Sequence, residues 1–379
     1  MLTAIATIIG TTIGAGILGI PYAIAKVGFL PGVILIVCIG IATTILNLMY
    51  AEVTLRTRQD HEIPGYGGLY LGTDAKMLAL LAGLLGSYGA LLAYIVGEGQ
   101  VLQNLLGGSA TIWSVLFICF GSYIIYRGVD VVKKIELVMS IALLGVLLLI
   151  GMAVQSHITN INLSFVDVNN FITPYGVLMF AFAGTASIPM VRQQLKGQER
   201  KLPAVILIAS SVILSVYFVF TWLVLGVTGS ETTQIATIGL GLKVGPFIRV
   251  LGNILAAITL LTGYIAMGLS IRRLFENDYG MTKLKACMVT IAIPSALFVI
   301  GARNFISILG IVGGVLLSVQ AVIIILSFWK SQDVSLFQTS VPIILRRKPE
   351  FTIGRHILLG SMLIALYVFG AFLTVFNQL

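Results

Sequence analysis

The chain has 379 residues, 58% of them hydrophobic and 10% charged, where an ordinary soluble domain carries roughly 25% charge. With a mean hydropathy of +1.05, this excludes the soluble classes, and the three cysteines, all in apolar stretches, exclude a disulfide framework. The net charge of +9 would suit nucleic acid, but the basic residues fall between the apolar runs, so no nucleic-acid partner is implied.

Eleven apolar runs follow in chain order, at 3–25, 30–52, 77–105, 110–127, 134–153, 171–193, 203–227, 246–271, 284–302, 305–329 and 356–376. A transmembrane helix needs about 20 such residues. None shows the ten-residue alternation of a barrel strand. The first is a span and not a signal peptide, because it lacks a basic leader and is interrupted by glycines. The expected fold is therefore an all-α integral membrane protein with 11 transmembrane helices. The lipid bilayer is its surroundings, and the cell membrane is its location.

Lys and Arg set the orientation. If the N-terminus is cytoplasmic, the inside loops hold 19 of the 23 basic residues, among them Arg56, Arg127, Arg192, Arg272 and Arg347. Only Lys26, Lys243, Arg249 and Arg303 fall outside. This asymmetry fits the positive-inside rule. An odd number of spans then puts the C-terminus outside.

Spans 1 and 6 share a pattern: Gly16-Ile17-Leu18-Gly19-Ile20-Pro21 and Gly184-Thr185-Ala186-Ser187-Ile188-Pro189, offset by 168 residues. The same offset carries spans 2 to 5 onto spans 7 to 10 in order. Five is odd, so the second copy enters the membrane from the other side. This predicts an inverted repeat, with residues 1–153 as the first five-helix unit, 171–329 as the second, and 330–379 as a loop and an eleventh helix. Such a repeat points to a secondary transporter.

Each motif predicts a broken helix, because glycine frees the backbone and proline removes a donor. Unwound backbone at membrane depth must be buried in protein or line a cavity. A break exposes N–H groups at one half-helix start, which suit a carboxylate, and carbonyls at the other end, which suit an ammonium or a cation. Two such breaks fit a zwitterion. Close helix packing is the other use of glycines in membranes.

Several segments resemble the amino acid/auxin permease group, which includes bacterial aromatic amino acid permeases and belongs to the amino acid–polyamine–organocation superfamily. They are Gly14 to Ala23 in span 1, Tyr50-Ala51-Glu52-Val53 and Ile63-Pro64-Gly65-Tyr66 around the end of span 2, Phe180 to Thr185 with Ile188-Pro189 in span 6, and Thr262-Gly263-Tyr264 in span 8. The resemblance covers essentially the whole chain. It implies the leucine-transporter fold, five plus five inverted helices, and cation-coupled movement of amino acids.

Carried over residue by residue, the resemblance assigns the substrate carboxylate to the N–H groups of Ala15 and Gly16, beside Gly14. It assigns the ammonium to the carbonyls of Thr12, Phe180 and Ala183. Phe180 resembles an aromatic lid and Phe182 a second pocket wall, with Ala181 and Gly184 completing the break. Tyr94, one turn before Glu98, resembles the tyrosine that meets the substrate carboxylate in sodium-coupled relatives; anchoring at the membrane interface is its other reading.

Coupling is read two ways. Thr259 and Thr262 lie on one face of span 8, and with the carbonyls of Thr12 and Ile13 they would make an all-oxygen site for sodium. Gly263 departs from that pattern, standing where sodium-coupled relatives carry a second hydroxyl, and threonines in membrane helices also bond their own backbone. For protons the candidate carrier is Glu98, an ionisable residue inside a span, although its distance from the start of span 3 also suits a solvated place at the outer interface. Proton-coupled permeases that this chain resembles carry a lysine in span 5, and Ser140 stands there, one to two turns after Lys133 and Lys134. No histidine cluster for a metal or for acid–base work is present, and no phosphate-binding loop, so an enzyme is not expected. No cofactor is expected, and no catalytic residue, or metal beyond sodium.

The leading expectation is a symporter of neutral, apolar or aromatic L-amino acids that works by alternating access. A sensor or facilitator that does not concentrate substrate is the alternative, and polyamine transport is disfavoured because the pocket offers one acid at most.

Overall fold

A computed structural model gives the architecture and describes residues 1–128, 145–167, 170–277, 279–332 and 347–376. Among these, secondary structure is helical apart from isolated bridges such as the one joining Gly28 to Val166. Helices are what the sequence requires, because lipid offers no partner for an unpaired backbone group. The elements are α1 (Leu2–Thr12), α2 (Gly16–Ala25), α3 (Phe29–Arg56), α4 (Ile63–Leu71), α5 (Thr73–Leu106), α6 (Ala110–Arg127), α7 (Gly145–His157) and α8 (Thr173–Ala181). They continue with α9 (Ile188–Gln194), α10 (Leu202–Thr228), α11 (Ala236–Val244), α12 (Pro246–Asn277), α13 (Lys283–Ile300), α14 (Phe305–Ile311), α15 (Ser318–Gln332) and α16 (Ile357–Phe376). A turn of π-helix, Val312–Leu317, joins α14 to α15 within span 10.

Nine of the described helical stretches are long and apolar enough to cross a membrane, and the bent pair α1–α2 makes a tenth. The fifth expected span is described only from Gly145 onward. Ser140, Lys133 and Lys134 lie outside the described residues. Two stretches expected as loops are short helices, α4 and α11. Pro64 opens α4 in its first turn, and Gly72, at φ 101°, closes it in a conformation that side chains rarely adopt.

Hydropathy is inside out relative to a soluble protein. On α16, Leu358, Met362, Phe369 and Phe372 are exposed, as befits a lipid-facing surface, while Gly360, Leu363, Tyr367, Gly370 and Thr374 point inward at a three-to-four residue spacing. The inward glycines let rings pack on the backbone: Trp329 lies against Gly360 and Tyr175 against Gly370.

Two packing units emerge. In the first, α10 packs on α1, α2 and α3, while α2 also packs on α8 and α3 on α9. In the second, α12 packs on α5, α6 and α13, and α5 on α6. Span 10 joins them, since α14 and the π turn contact both α5 and α8. Helix α11 joins them again, touching α2, α10 and α12.

At the end of α3, Glu52 is fully buried and gathers two further segments. Its carboxylate pairs with Arg56 at 2.7 Å. It accepts from Gln332 Nε2 at the end of α15 (2.8 Å), from Thr352 Oγ1 (2.9 Å) and from the N–H of Ile353 (2.8 Å), just before α16. Beside it, the buried Arg192 of α9 donates to the carbonyls of Thr54 and Thr57 and pairs with Asp60 at 3.0 Å. Spans 2, 6 and 10 and the approach to span 11 are thus tied together at one membrane face. Removing one partner of a buried pair leaves the others desolvated and uncompensated. Glu52→Ala is expected to cost about 3 kcal/mol, the lower end of the range for such a loss because Arg56 is part-exposed. The check is the melting temperature of the purified protein in detergent, which should fall clearly below that of wild type.

Candidate functional site

Span 1 is broken where its glycines cluster. Helix α1 ends at Thr12, α2 begins at Gly16, and the two halves are bent by 54°. Between them, the Gly14 N–H turns back to the Thr12 carbonyl at 2.9 Å. The N–H groups of Ala15 and Gly16 have no hydrogen-bond partner among the described residues. Span 6 is interrupted at the matching place: α8 ends at Ala181, a single 3₁₀ turn covers Thr185–Ser187, and α9 starts at Ile188. There the N–H of Ala183 bonds to the Phe180 carbonyl (3.2 Å) and that of Gly184 to the Phe182 carbonyl (2.7 Å). These tight turns use up donors locally. The N–H groups of Thr185 and Ala186 have no backbone partner among the described residues.

The two breaks touch. A Cβ on Gly16 would lie 2.5 Å from the Cα of Ala181, and one on Gly184 would lie 2.1 Å from Thr12 Oγ1. Gly16 therefore serves the approach of helix to helix, a different use from the ligand approach that its motif suggests. Gly14 is the glycine with room around it: a Cβ there meets nothing within 4 Å among the described residues. The buried Thr12 Oγ1 has no hydrogen-bond partner among the described residues. Span 10 closes in from another side, because Gly313 brings the π turn against the Gly176 carbonyl and the backbone of Phe180.

The aromatic candidates part company. Phe180 is half-buried. Phe182 turns toward spans 2 and 7, with its ring 5.0 Å from that of Tyr217 and packed over Gly40. It lines, with Thr43, Leu46, Ala183, Thr185, Gln320 and Ile324, a cavity between spans 2, 6 and 10 of ≈ 30 Å³, space for one or two waters. Tyr94 is buried and crosses to span 8, where a Cβ on Gly263 would lie 2.9 Å from its Cζ and 3.2 Å from its hydroxyl oxygen. The missing hydroxyl at Gly263 thus leaves space that the tyrosine ring fills.

Glu98 is buried along with the whole run Ala90–Gly99, and its Oε2 has no partner among the described residues. The solvated reading of its depth fails for a physical reason. At Glu98's level α5 is shielded from water by its neighbours: Gly97 packs on Phe305 and Leu260, and Gly99 on Ser114. Thr259 Oγ1 donates to the Leu255 carbonyl (2.8 Å), and Thr262 Oγ1 to those of Ile258 (2.9 Å) and Thr259 (3.1 Å). Both hydroxyls serve their own helix. Thr12 and Ile13 belong to the first packing unit and Thr259 and Thr262 to the second, so the four candidate oxygens come from separately packed elements. Among the described residues no group of His, Cys, Asp and Glu is arranged to hold a metal ion.

Sequence reasoning missed three participants. Tyr217 of α10 is fully buried, and its hydroxyl donates to carbonyls from both breaks: Thr12 at 3.1 Å and Ala181 at 2.6 Å. Asn47 of α3 accepts from Thr185 Oγ1 at 2.7 Å. Glu52 anchors one membrane face. Each is a polar residue within or at the end of an apolar run, which was the available signal.

Broken spans 1 and 6 in contact, with two packing units beside them, define a membrane transporter of the leucine-transporter fold. The crystal structure of MhsT in complex with L-phenylalanine superposes on the whole chain and on 98% of its own, with a TM-score of 0.73 at 14% identity. The tryptophan/tyrosine permease family model matches residues 1–339, and the chain belongs to that family. Tyrosine-specific transport system 1 of Haemophilus influenzae is 25% identical over 346 residues, 85% of this chain and 86% of that protein. Glutamine transporter 2 of Aliivibrio fischeri is 22% identical over 321 residues, covering 81% and 83%. The protein is a transporter and not an enzyme.

The glycines give a direct test of the packing. Gly16→Ala drives a methyl into the Ala181 backbone and is expected to destabilise by about 1–3 kcal/mol, as overpacking does. Gly14→Ala has room and should leave the melting temperature where it was. Equal melting temperatures for the two variants would contradict the contact between the breaks.

Proposed function

We propose that this chain imports neutral, apolar or aromatic L-amino acids across the cell membrane by cation-coupled symport and alternating access. The observation that carries this reading is the contact of two broken spans beside the N–H groups of Ala15 and Gly16, which have no partner among the described residues. A helix start with unpaired donors suits a carboxylate, and unwound carbonyls suit an ammonium. Family membership supports an amino acid as substrate, as do the named relatives, which carry tyrosine and glutamine. The phenylalanine bound to MhsT is in keeping with an aromatic side chain.

In this reading Gly14, Ala15 and Gly16 face the carboxylate, and the carbonyl of Ala183 is the best-placed acceptor for the ammonium. Phe180 and Tyr94 flank the space from spans 6 and 3. Residues 1–153 and 171–329 act as the two inverted repeats, and each gives helices to both packing units, which rock against each other around the breaks. The face that carries Glu52 and Arg192 is cytoplasmic, on the strength of the Lys and Arg asymmetry.

We take the coupling ion to be a proton. At Gly263, where sodium-coupled relatives carry a second hydroxyl, the ring of Tyr94 fills the space and no such ligand is offered. Glu98 is a carboxyl buried in the second unit with an oxygen that has no partner among the described residues, and intramembrane acids of that kind mark proton relays.

Uptake into proteoliposomes tests both levels. Radiolabelled tyrosine should accumulate above its outside concentration when a pH gradient is imposed without sodium; binding without accumulation would contradict a transporter that concentrates its substrate. Glu98→Gln should abolish the pH-driven accumulation while leaving exchange of tyrosine intact. Sodium-dependent uptake that is lost in Thr262→Ala would reverse the choice of ion. Topology has its own check: a cysteine placed at Thr159 should react with an impermeant thiol reagent added outside whole cells, and one placed at Gly197 should not.

A further inference from the structure

We propose that Tyr217 is a positioning residue of the substrate site, holding the two breaks at the spacing that a bound amino acid requires. The inference rests on the reading that the breaks form that site.

Tyr217 stands on span 7, outside both broken spans, and is 0% exposed. Its single O–H is shared between the carbonyls of Ala181 (2.6 Å) and Thr12 (3.1 Å). These are the last helical residues before each break, so their carbonyls are among those that a helix end leaves without intrahelical partners. At Ala181 the Tyr217 hydroxyl meets this need. At Thr12 it supplies the second bond, beside the Gly14 N–H at 2.9 Å. A carbonyl offers two lone pairs, so Thr12's are both in use, and the carbonyl cannot also take the substrate ammonium while Tyr217 stays in place.

Two consequences follow. The ammonium falls to carbonyls that Tyr217 leaves open, with Ala183 foremost. The separation of the span 1 donors from the span 6 acceptors is then set by one phenol, which fixes the end of each preceding half-helix. The ring is held independently of the hydroxyl, packed at 71° against Phe182, so its orientation does not depend on the bonds it makes.

The test is Tyr217→Phe, which keeps the ring and removes the O–H. Transport kinetics in proteoliposomes, normalised to folded protein, should show KM for tyrosine raised about tenfold, the effect of one hydrogen bond of ordinary worth, with Vmax largely kept, the signature of lost ground-state binding. An unchanged KM, with only a lower yield or melting temperature, would show a structural bond and overturn the proposal. Gly14→Val is measured alongside. A raised KM in Gly14→Val with an unchanged KM in Tyr217→Phe overturns the role of Tyr217 and keeps the site; unchanged values in both overturn the site as well. If Tyr217→Phe does not fold, 3-fluorotyrosine at position 217 retains shape and hydroxyl but alters its donor strength. A shifted KM then supports the proposal, and an unshifted one overturns it.

Discussion

Backbone N–H and C=O groups at membrane depth have no water to turn to, and each one left unpaired costs several kcal/mol. This chain breaks two helices in that setting, at Ile13–Ala15 and at Phe182–Gly184. The surrounding structure can be understood as the means of making those breaks tolerable. Local turns take up the N–H groups of Gly14, Ala183 and Gly184. Tyr217 takes up the carbonyls at the ends of the two preceding half-helices. Among the described residues the N–H groups of Ala15 and Gly16 in span 1, like those of Thr185 and Ala186 in span 6, are left without a backbone partner, and in a transporter such donors are useful because a ligand can supply what the protein withholds.

The same economy governs packing. Helices in lipid gain little from hiding apolar surface and rely on close contact. Glycines supply it around the breaks: Gly16 on Ala181, Gly184 on Thr12, and Gly176 with Gly310 and Gly313 of span 10. The π turn of span 10 lies in this last contact. Irregular turns of this kind are frequent at functional sites, and here the irregularity sits beside Phe180. At one face the polar ties of Glu52 and Arg192 hold spans 2, 6 and 10 together, while near the breaks contacts are backbone to backbone and few charges intervene. A structure tied firmly at one face and packed on glycines in the middle suits a machine whose halves shift about a central site.

Much of this was legible in the sequence. The apolar runs marked the spans, because bilayer thickness dictates their length. The paired Gly and Pro motifs located both breaks to within a residue or two, because few other residues interrupt a membrane helix. Other features were hidden for physical reasons. Gly16 and Gly14 look alike in a motif, yet one packs on Ala181 and the other faces open space, and only tertiary contact separates them. Glu98 was hard to place because the sequence does not show which neighbours, among them Leu260, Phe305 and Ser114, cover that level of α5. Helix α4 escaped notice because three glycines and a proline argue against helix, and packing on α5 and α15 overrides that propensity. Tyr217 sits in an apolar run whose periodicity says nothing of its hydroxyl.

The central claim is that an amino acid binds between the two breaks. The most direct measurement is an experimental structure of the protein with L-tyrosine bound, by electron cryomicroscopy or crystallography. The substrate carboxylate is expected against the N–H groups of Ala15 and Gly16, with its ammonium toward the carbonyl of Ala183. Substrate density in the cavity lined by Thr43, Thr185 and Gln320, with the span 1 donors left unengaged, would contradict it.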